Sequence, residues 1–174
     1  MSYLLNKKQV FKGKLMRKIE LVNFESKPIM RKLLNKYLTE LSQYDPDIQF
    51  DKTGTPIYNW FDNYWTDYGR YPFFLIIDNN IAGIDMIRHH VDQPYNYSVA
   101  EFYVVPQFRG DNNAIWFVDN IFNMFNGKIE IETRLTNPVG LKFWEKYAIL
   151  KNSNNYVDSD IWRVWIVDNS NKHN

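Results

Sequence analysis

Two features of this 174-residue chain place reactive groups at spacings that suit chemistry. In the first, an apolar run ends in Val104-Val105-Pro106. A polar loop, Gln107-Phe108-Arg109-Gly110-Asp111-Asn112-Asn113-Ala114, follows, and then a helical pattern begins. A strand, a short loop and a helix N-terminus bring free backbone N–H groups and the positive helix end to one spot, which suits a pyrophosphate. Arg109 adds charge there, and Gly110 lets the backbone approach closely. The second feature is Glu101, a carboxylate in an otherwise apolar strand, two residues from Tyr103 and on the same face. It is a candidate general base, acting directly or through a water. The competing role is structural, with Glu101 facing solvent or pairing with Arg88 across a hairpin.

Aromatic residues form 17% of the chain, and most must be core. Some cluster between residues 58 and 68 as Tyr58, Trp60, Phe61, Tyr64, Trp65 and Tyr68, beside Asp62 and Asp67. Aromatic walls with a carboxylate suit a cationic amine, so Tyr64, Trp65 and Tyr103 are candidate acceptor contacts; the alternative is a core stripe with solvent-facing acids. Other chemistries find little support. Cysteine is absent, which excludes a thiol nucleophile and a thiolate metal site. His89 and His90 are adjacent on a strand pattern and point to opposite faces, so they cannot hold one metal together; no metal is expected. No Gly-x-Ser-x-Gly elbow and no Walker loop occurs.

These groups need a scaffold, and the length suits one domain spanning residues 1–174. The net charge of +1 gives no field for nucleic acid or membrane. A basic stretch is the exception: Lys7, Lys8, Lys12, Lys14, Arg17 and Lys18 precede the first acid, Glu20. Residues 1–16 are read as a basic extension, either a solvated tail or sequence upstream of a start at Met16. No apolar run has the length of a signal peptide core or a membrane span, so a soluble, cytoplasmic protein is expected.

Periodicity predicts a mixed α/β architecture, one sheet with helices on both faces, in the order β-α-α-β-β-β-α-β-α-β. Strands are expected at 17–24, 72–78, 81–90, 97–105 and 128–135, with one or two closing strands in 155–167. The hairpin after 78 turns on Asn79-Asn80. Ser26 and Pro28 start a first helix that carries Met30, Leu34, Leu38 and Leu41 to residue 42. A second helix is expected over 56–69, a third over 113–125, and a last one from Asn137 to about 148, with Asn137 as cap and Pro138 in the first turn.

Residues 102–110, Phe-Tyr-Val-Val-Pro-Gln-Phe-Arg-Gly, resemble the end of the fourth strand and the CoA loop of the GNAT acyltransferases, whose loop reads Arg/Gln-x-x-Gly-x-Gly/Ala. Here Arg109, Asn112 and Ala114 stand at those positions. Asn137, Phe143, Trp144, Glu145 and Lys146 resemble the family's later motif, Asn-x-x-Ala-x-x-Phe-Tyr-Glu-Lys, and the element order matches over about residues 17–168. The resemblance implies an N-acetyltransferase that moves an acetyl group from acetyl-CoA to a small-molecule or peptide amine. It also implies CoA contacts from Val104, Val105, Arg109, Gly110, Asp111, Asn112, Asn113 and Ala114, with Asn137 at the pantetheine arm. The N–H of Val104 or Val105, at a strand bulge, would stabilise the oxyanion. Pairing of two copies through the closing strands is a further family habit.

Two positions depart from the family pattern. Asn112 replaces its central Gly; Asn is the side chain that best tolerates a left-handed turn. Trp144 stands where many members carry the Tyr that protonates the leaving thiolate, and an indole supplies no proton at neutral pH. Tyr147, one turn along, is the substitute candidate. Both departures leave open a degenerate GNAT domain that binds acyl-CoA without catalysis. A third class is a module of the same fold order that uses the aromatic cleft for a peptide or sugar.

Overall fold

A computed structural model describes residues 15–153 and 155–170; the basic stretch through Lys14 lies outside the described residues. Alternating apolar residues form β1 (Arg17–Leu21), β2 (Arg70–Ile77), β3 (Asn80–His89), β4 (Tyr97–Val104), β5 (Lys128–Arg134), β6 (Tyr156–Asp158) and β7 (Trp162–Asp168). They make one sheet in the order β1-β2-β3-β4-β5-β7-β6. Every neighbouring pair is antiparallel except β4 and β5, which run parallel. The architecture is the mixed sheet expected, with helices on both faces.

On one face lie α1 (Lys27–Leu41) and the short α2 (Asn63–Thr66). Met30, Leu33, Leu34 and Leu38 of α1 meet Phe74, Ile84, Met86 and Tyr103 of the sheet. On the other face, α3 (Asn113–Phe122) and α4 (Pro138–Leu150) bury Phe117, Val118, Ile121, Tyr147 and Ala148 against Leu75, Ile129, Ile131 and Trp165. Pro138 sits in the first turn of α4, and the Asn137 side chain accepts a hydrogen bond from the Gly140 N–H, as a cap should. Among the described residues no helix is long and apolar enough to cross a membrane.

Two local expectations need correction. The helix over 56–69 is only the single turn α2. Upstream, the Asp51 carboxylate accepts from the N–H groups of Thr53 and Thr55, Gly54 takes φ +80°, and Pro56 bridges back to Phe50. This tight turn holds the chain extended to Ile57, so the 3.6-residue spacing is used for one turn only. Phe61 and Tyr64 are buried, whereas Trp60 and Tyr68 are exposed. The β2–β3 turn is Asp78-Asn79, one residue earlier than expected, with both residues at positive φ.

Asp85 on β3 is fully buried among apolar neighbours, and neither carboxylate oxygen has a hydrogen-bond partner. Burial raises its pKa well above the ordinary carboxyl value. A carboxyl raised by folding stays protonated in the native state while the unfolded chain has already lost its proton. Stability therefore falls as pH rises above the ordinary range, by about 1.4 kcal/mol per pH unit, until the native group ionises. Asp85→Asn should remove this slope. Denaturant unfolding of both proteins between pH 4 and 9 should show the variant gaining relative stability as pH rises; a constant difference would contradict the assignment.

Candidate functional site

β4 and β5 pair only at Tyr97↔Ile129 and Ser98↔Glu130, and then diverge. The divergence opens a cleft of about 750 Å³ that reaches both faces of the sheet. On the α4 side its walls include Phe143, Trp144 and Gly140; on the α1 side they include Tyr37, Tyr58 and Glu101. Phe102 stacks on Phe143 at 5.3 Å between centroids, with Trp144 tilted against it. A Cβ on Gly140 would lie 2.7 Å from Asn137 Nδ2 and 3.0 Å from Thr133 Cγ2, so a larger residue there would have to displace the Asn137 side chain.

The backbone of β4 is aimed by its pairing. The Val105 N–H donates to the Ala82 carbonyl at 2.9 Å. In an antiparallel ladder consecutive residues point their N–H and C=O groups to opposite edges. The Val104 N–H and C=O therefore face the gap, and the Val104 carbonyl there accepts from Arg109 Nε at 2.8 Å. Of the two donors considered for an oxyanion, Val104 alone points into the cleft; the Val105 N–H is used by the sheet. The bulge also lies elsewhere. Ala100 is the extra residue, since Met86 opposes Glu101 while Ile87 opposes Val99.

The loop from Arg109 to Ala114 forms one mouth of the cleft. Gly110, Asp111 and Asn112 all have positive φ, and Asn112 (φ 57°, ψ 21°) is the left-handed residue that precedes α3. No side chain caps this helix. Arg17 Nη2 holds the Asp111 carbonyl at 2.8 Å, and Asn113 Nδ2 holds the Phe108 carbonyl at 2.9 Å. Arg109 does not lie over the helix end: its Nη2 pairs with Glu40 of α1 at 2.6 Å. Asn137, Gly110 and Ala114 line the same cleft.

At the other mouth Glu101 lies on the α1 face beside Tyr37 and Tyr58. Burial pushes its pKa up to about 7, against the pull of the Tyr58 and Tyr37 hydroxyls and the Arg88 charge. The same burial, with the negative charge of Glu101 beside them, raises both phenols. Glu101 makes no ion pair with Arg88. Across this mouth, Arg134 of β5 pairs with Asp45 at 2.7 Å and with Asp47, and the Thr136 hydroxyl donates to the Tyr44 carbonyl at 2.6 Å. The segment after α1 is thus tied to the far side of the gap.

Several candidate residues lie apart from this cleft. Tyr147 is fully buried, its hydroxyl donating to Asp119 at 3.3 Å, and burial followed by the Asp119 charge raises its pKa. It is directed at α3 and cannot reach a leaving group in the gap. Tyr64 belongs to the core under α1, and Trp65 donates its indole N–H to the Val22 carbonyl. Neither lines the cleft; Tyr103 does. The cleft-lining residues missed by sequence are Tyr37, hidden within the apolar stripe of α1, and Arg134. The charged face of 128–135 looks solvated in sequence, yet here it is a cleft wall.

The chain matches no protein-family model and no curated protein. It does match solved structures. A GNAT-family acetyltransferase from Streptococcus agalactiae has 13% identity and a TM-score of 0.62, covering 87% of this chain and 95% of its own. The fold is that of the GNAT acetyltransferases. An acetyltransferase from Corynebacterium glutamicum gives a TM-score of 0.65 at 10% identity, covering 91% and 99%. The spermidine N-acetyltransferase of Vibrio cholerae, solved with CoA and spermine, gives 0.61 at 12%, covering 91% and 98%. In the GNAT fold of this chain, Asn112 holds the loop turn that the family motif assigns to glycine. Asn112→Val, which forces a β-branched residue into the left-handed region, should lower stability by about 1–2 kcal/mol. Asn112→Gly should leave it equal or higher. Thermal melts of the two variants check this, and equal loss in both would contradict it.

Proposed function

We propose that this chain is a cytoplasmic N-acyltransferase that moves an acetyl group from acetyl-CoA to an amine. The observation that carries the reading is the β4–β5 gap. It presents an unpaired Val104 N–H between an uncapped helix N-terminus at one mouth and a Glu101 of raised pKa at the other. The pyrophosphate fits the loop Arg109–Ala114 and the first turn of α3. The pantetheine arm lies along β4 as an added strand, beside Asn137 and Gly140. Arg109 must then release the Val104 carbonyl it holds.

The acceptor arrives as an ammonium, which suits the aromatic and acidic mouth. Glu101 takes its proton, directly or through a water. The amine nitrogen attacks the thioester carbonyl carbon, and the oxygen gains charge beside the Val104 N–H, a donor worth about 2.7–4 kcal/mol when well aimed. Collapse breaks the carbon–sulfur bond and releases CoA thiolate. Trp144 has no acid proton and Tyr147 is turned away, so the second proton of the attacking nitrogen passes through solvent to the thiolate.

Acetyl-CoA at 100 times its dissociation constant should stabilise the protein by about 2.7 kcal/mol, and an amine screen should show release of free thiol. Glu101→Gln should lower kcat/KM by about 10²–10⁴-fold while the acetyl-CoA melting shift persists. The acid limb of kcat/KM should fall near pH 7. Tyr58→Phe removes a donor that favours the charged carboxylate, so it should move that limb to higher pH. Thiol release that is insensitive to Glu101→Gln, or no melting shift at millimolar acetyl-CoA, would overturn the proposal.

A further inference from the structure

Two of the three guanidiniums that line the cleft are matched. Arg134 pairs with Asp45 and Asp47, and Arg109 pairs with Glu40. Arg88 is the exception. It is half-buried, lines the cleft, and makes no side-chain hydrogen bond or ion pair among the described residues; its Nε is buried and without a partner.

Register fixes where this guanidinium points. Met86 opposes Glu101, and Arg88 lies two residues further along β3, opposite Ser98. Residues 84, 86 and 88 share a face of the strand, and Ile84 and Met86 pack under α1. Arg88 therefore stands on the acceptor face, diagonal to the candidate base. The carboxyls that feel its charge are Glu101 beside it and Glu130 on β5, and burial raises both. Once Glu101 has taken a proton from the acceptor, the one carboxyl left near Arg88 is Glu130, with which it makes no ion pair. A partly buried guanidinium in that condition is unfavourable unless the ligand supplies the counter-charge.

We propose that Arg88 binds a carboxylate of the acceptor, so that the amine substrate is an amino acid or an amino-acid-like zwitterion. This rests on the acyltransferase reading and narrows its acceptor. The ammonium lies at Glu101 between Tyr37 and Tyr58, and the carboxylate meets the planar fork of Arg88, a geometry that guanidinium groups match with two parallel hydrogen bonds. A phosphate fits less well. The cleft lining holds five carboxylates (Glu40, Asp45, Asp47, Glu101 and Glu132) against three guanidiniums (Arg88, Arg109 and Arg134), and a dianion would meet that excess of negative charge.

Matched pairs of acceptors test this: tyrosine with tyramine, tryptophan with tryptamine, lysine with cadaverine, and phosphoethanolamine with ethanolamine. Wild-type protein with acetyl-CoA should prefer the carboxylate-bearing member of at least one amino-acid pair by ten-fold or more in kcat/KM. Arg88→Ala should erase that preference mainly through KM, and Arg88→Lys should restore part of it. Preference for phosphoethanolamine alone, preference for every decarboxylated amine, or an Arg88→Ala preference equal to wild type would overturn the proposal. Melting shifts with the same compounds, without acetyl-CoA, give a readout independent of turnover. If no amine releases thiol, the acyltransferase reading fails. The Arg88 proposal then stands on a wild-type shift with an amino acid that Arg88→Ala and Arg88→Lys reduce, and it falls if no amino acid shifts the wild type.

Discussion

Backbone N–H and C=O groups inside a protein need partners, and a sheet normally supplies them along both edges of each strand. Between β4 and β5 this supply stops after two residues, Tyr97 and Ser98. Every feature of the candidate site follows from that interruption. The groups of β4 that would have met β5 face open space, and α3 starts where β4 ends, so its free N–H groups gather at the same opening. The strands cannot close without losing Phe143 and Trp144, which fill the gap from α4 against Phe102. Gly140 lets α4 lie close to Thr133 and Asn137, where a Cβ would have to displace the Asn137 side chain.

The opening is bridged on its other side by polar ties. Arg134 reaches from β5 to Asp45 and Asp47, and Thr136 reaches to Tyr44. The pair with Asp45 is largely shielded from water; such a pair adds little net stability when intact. Its evident effect is positional: it fixes the segment after α1 as one wall of the cleft. Asp45 also adds to the pressure on Glu101 toward its protonated form, so the wall and the candidate base are electrostatically linked. Arg109 and Glu40 make a comparable tie at the opposite mouth, between the Arg109–Ala114 loop and α1.

The sheet was readable from sequence because its strands alternate or run apolar between turn residues, and because Asn137-Pro138 and the loop at Arg109–Asn112 punctuate the chain strongly. The αL conformation of Asn112 follows from its residue type. What escaped were features set by tertiary pairing. The bulge at Ala100 has no composition of its own; it emerges only when β4 is registered on β3. The helical spacing around Trp60 was genuine, but the Asp51 turn and the Phe50–Pro56 bridge claim the first half of it. Tyr147 and Trp144 look interchangeable on a helix one turn apart, yet their rotation about the axis sends one to the gap and the other to Asp119. Glu101 was visible as a lone carboxylate in an apolar strand, whereas its phenolic neighbours come from α1 and from a loop far away in sequence.

The central claim is that the unpaired edge of β4 and the first turn of α3 receive acyl-CoA. Amide-resolved NMR of the full chain, titrated with acetyl-CoA, tests it most directly. The account expects the amides of Phe102, Val104, Ala114 and Ile115 to shift and to gain protection from hydrogen exchange, while Val105, already bonded to Ala82, changes least. Saturable binding that perturbs other regions and leaves the Val104 and Ala114 amides unmoved would contradict it.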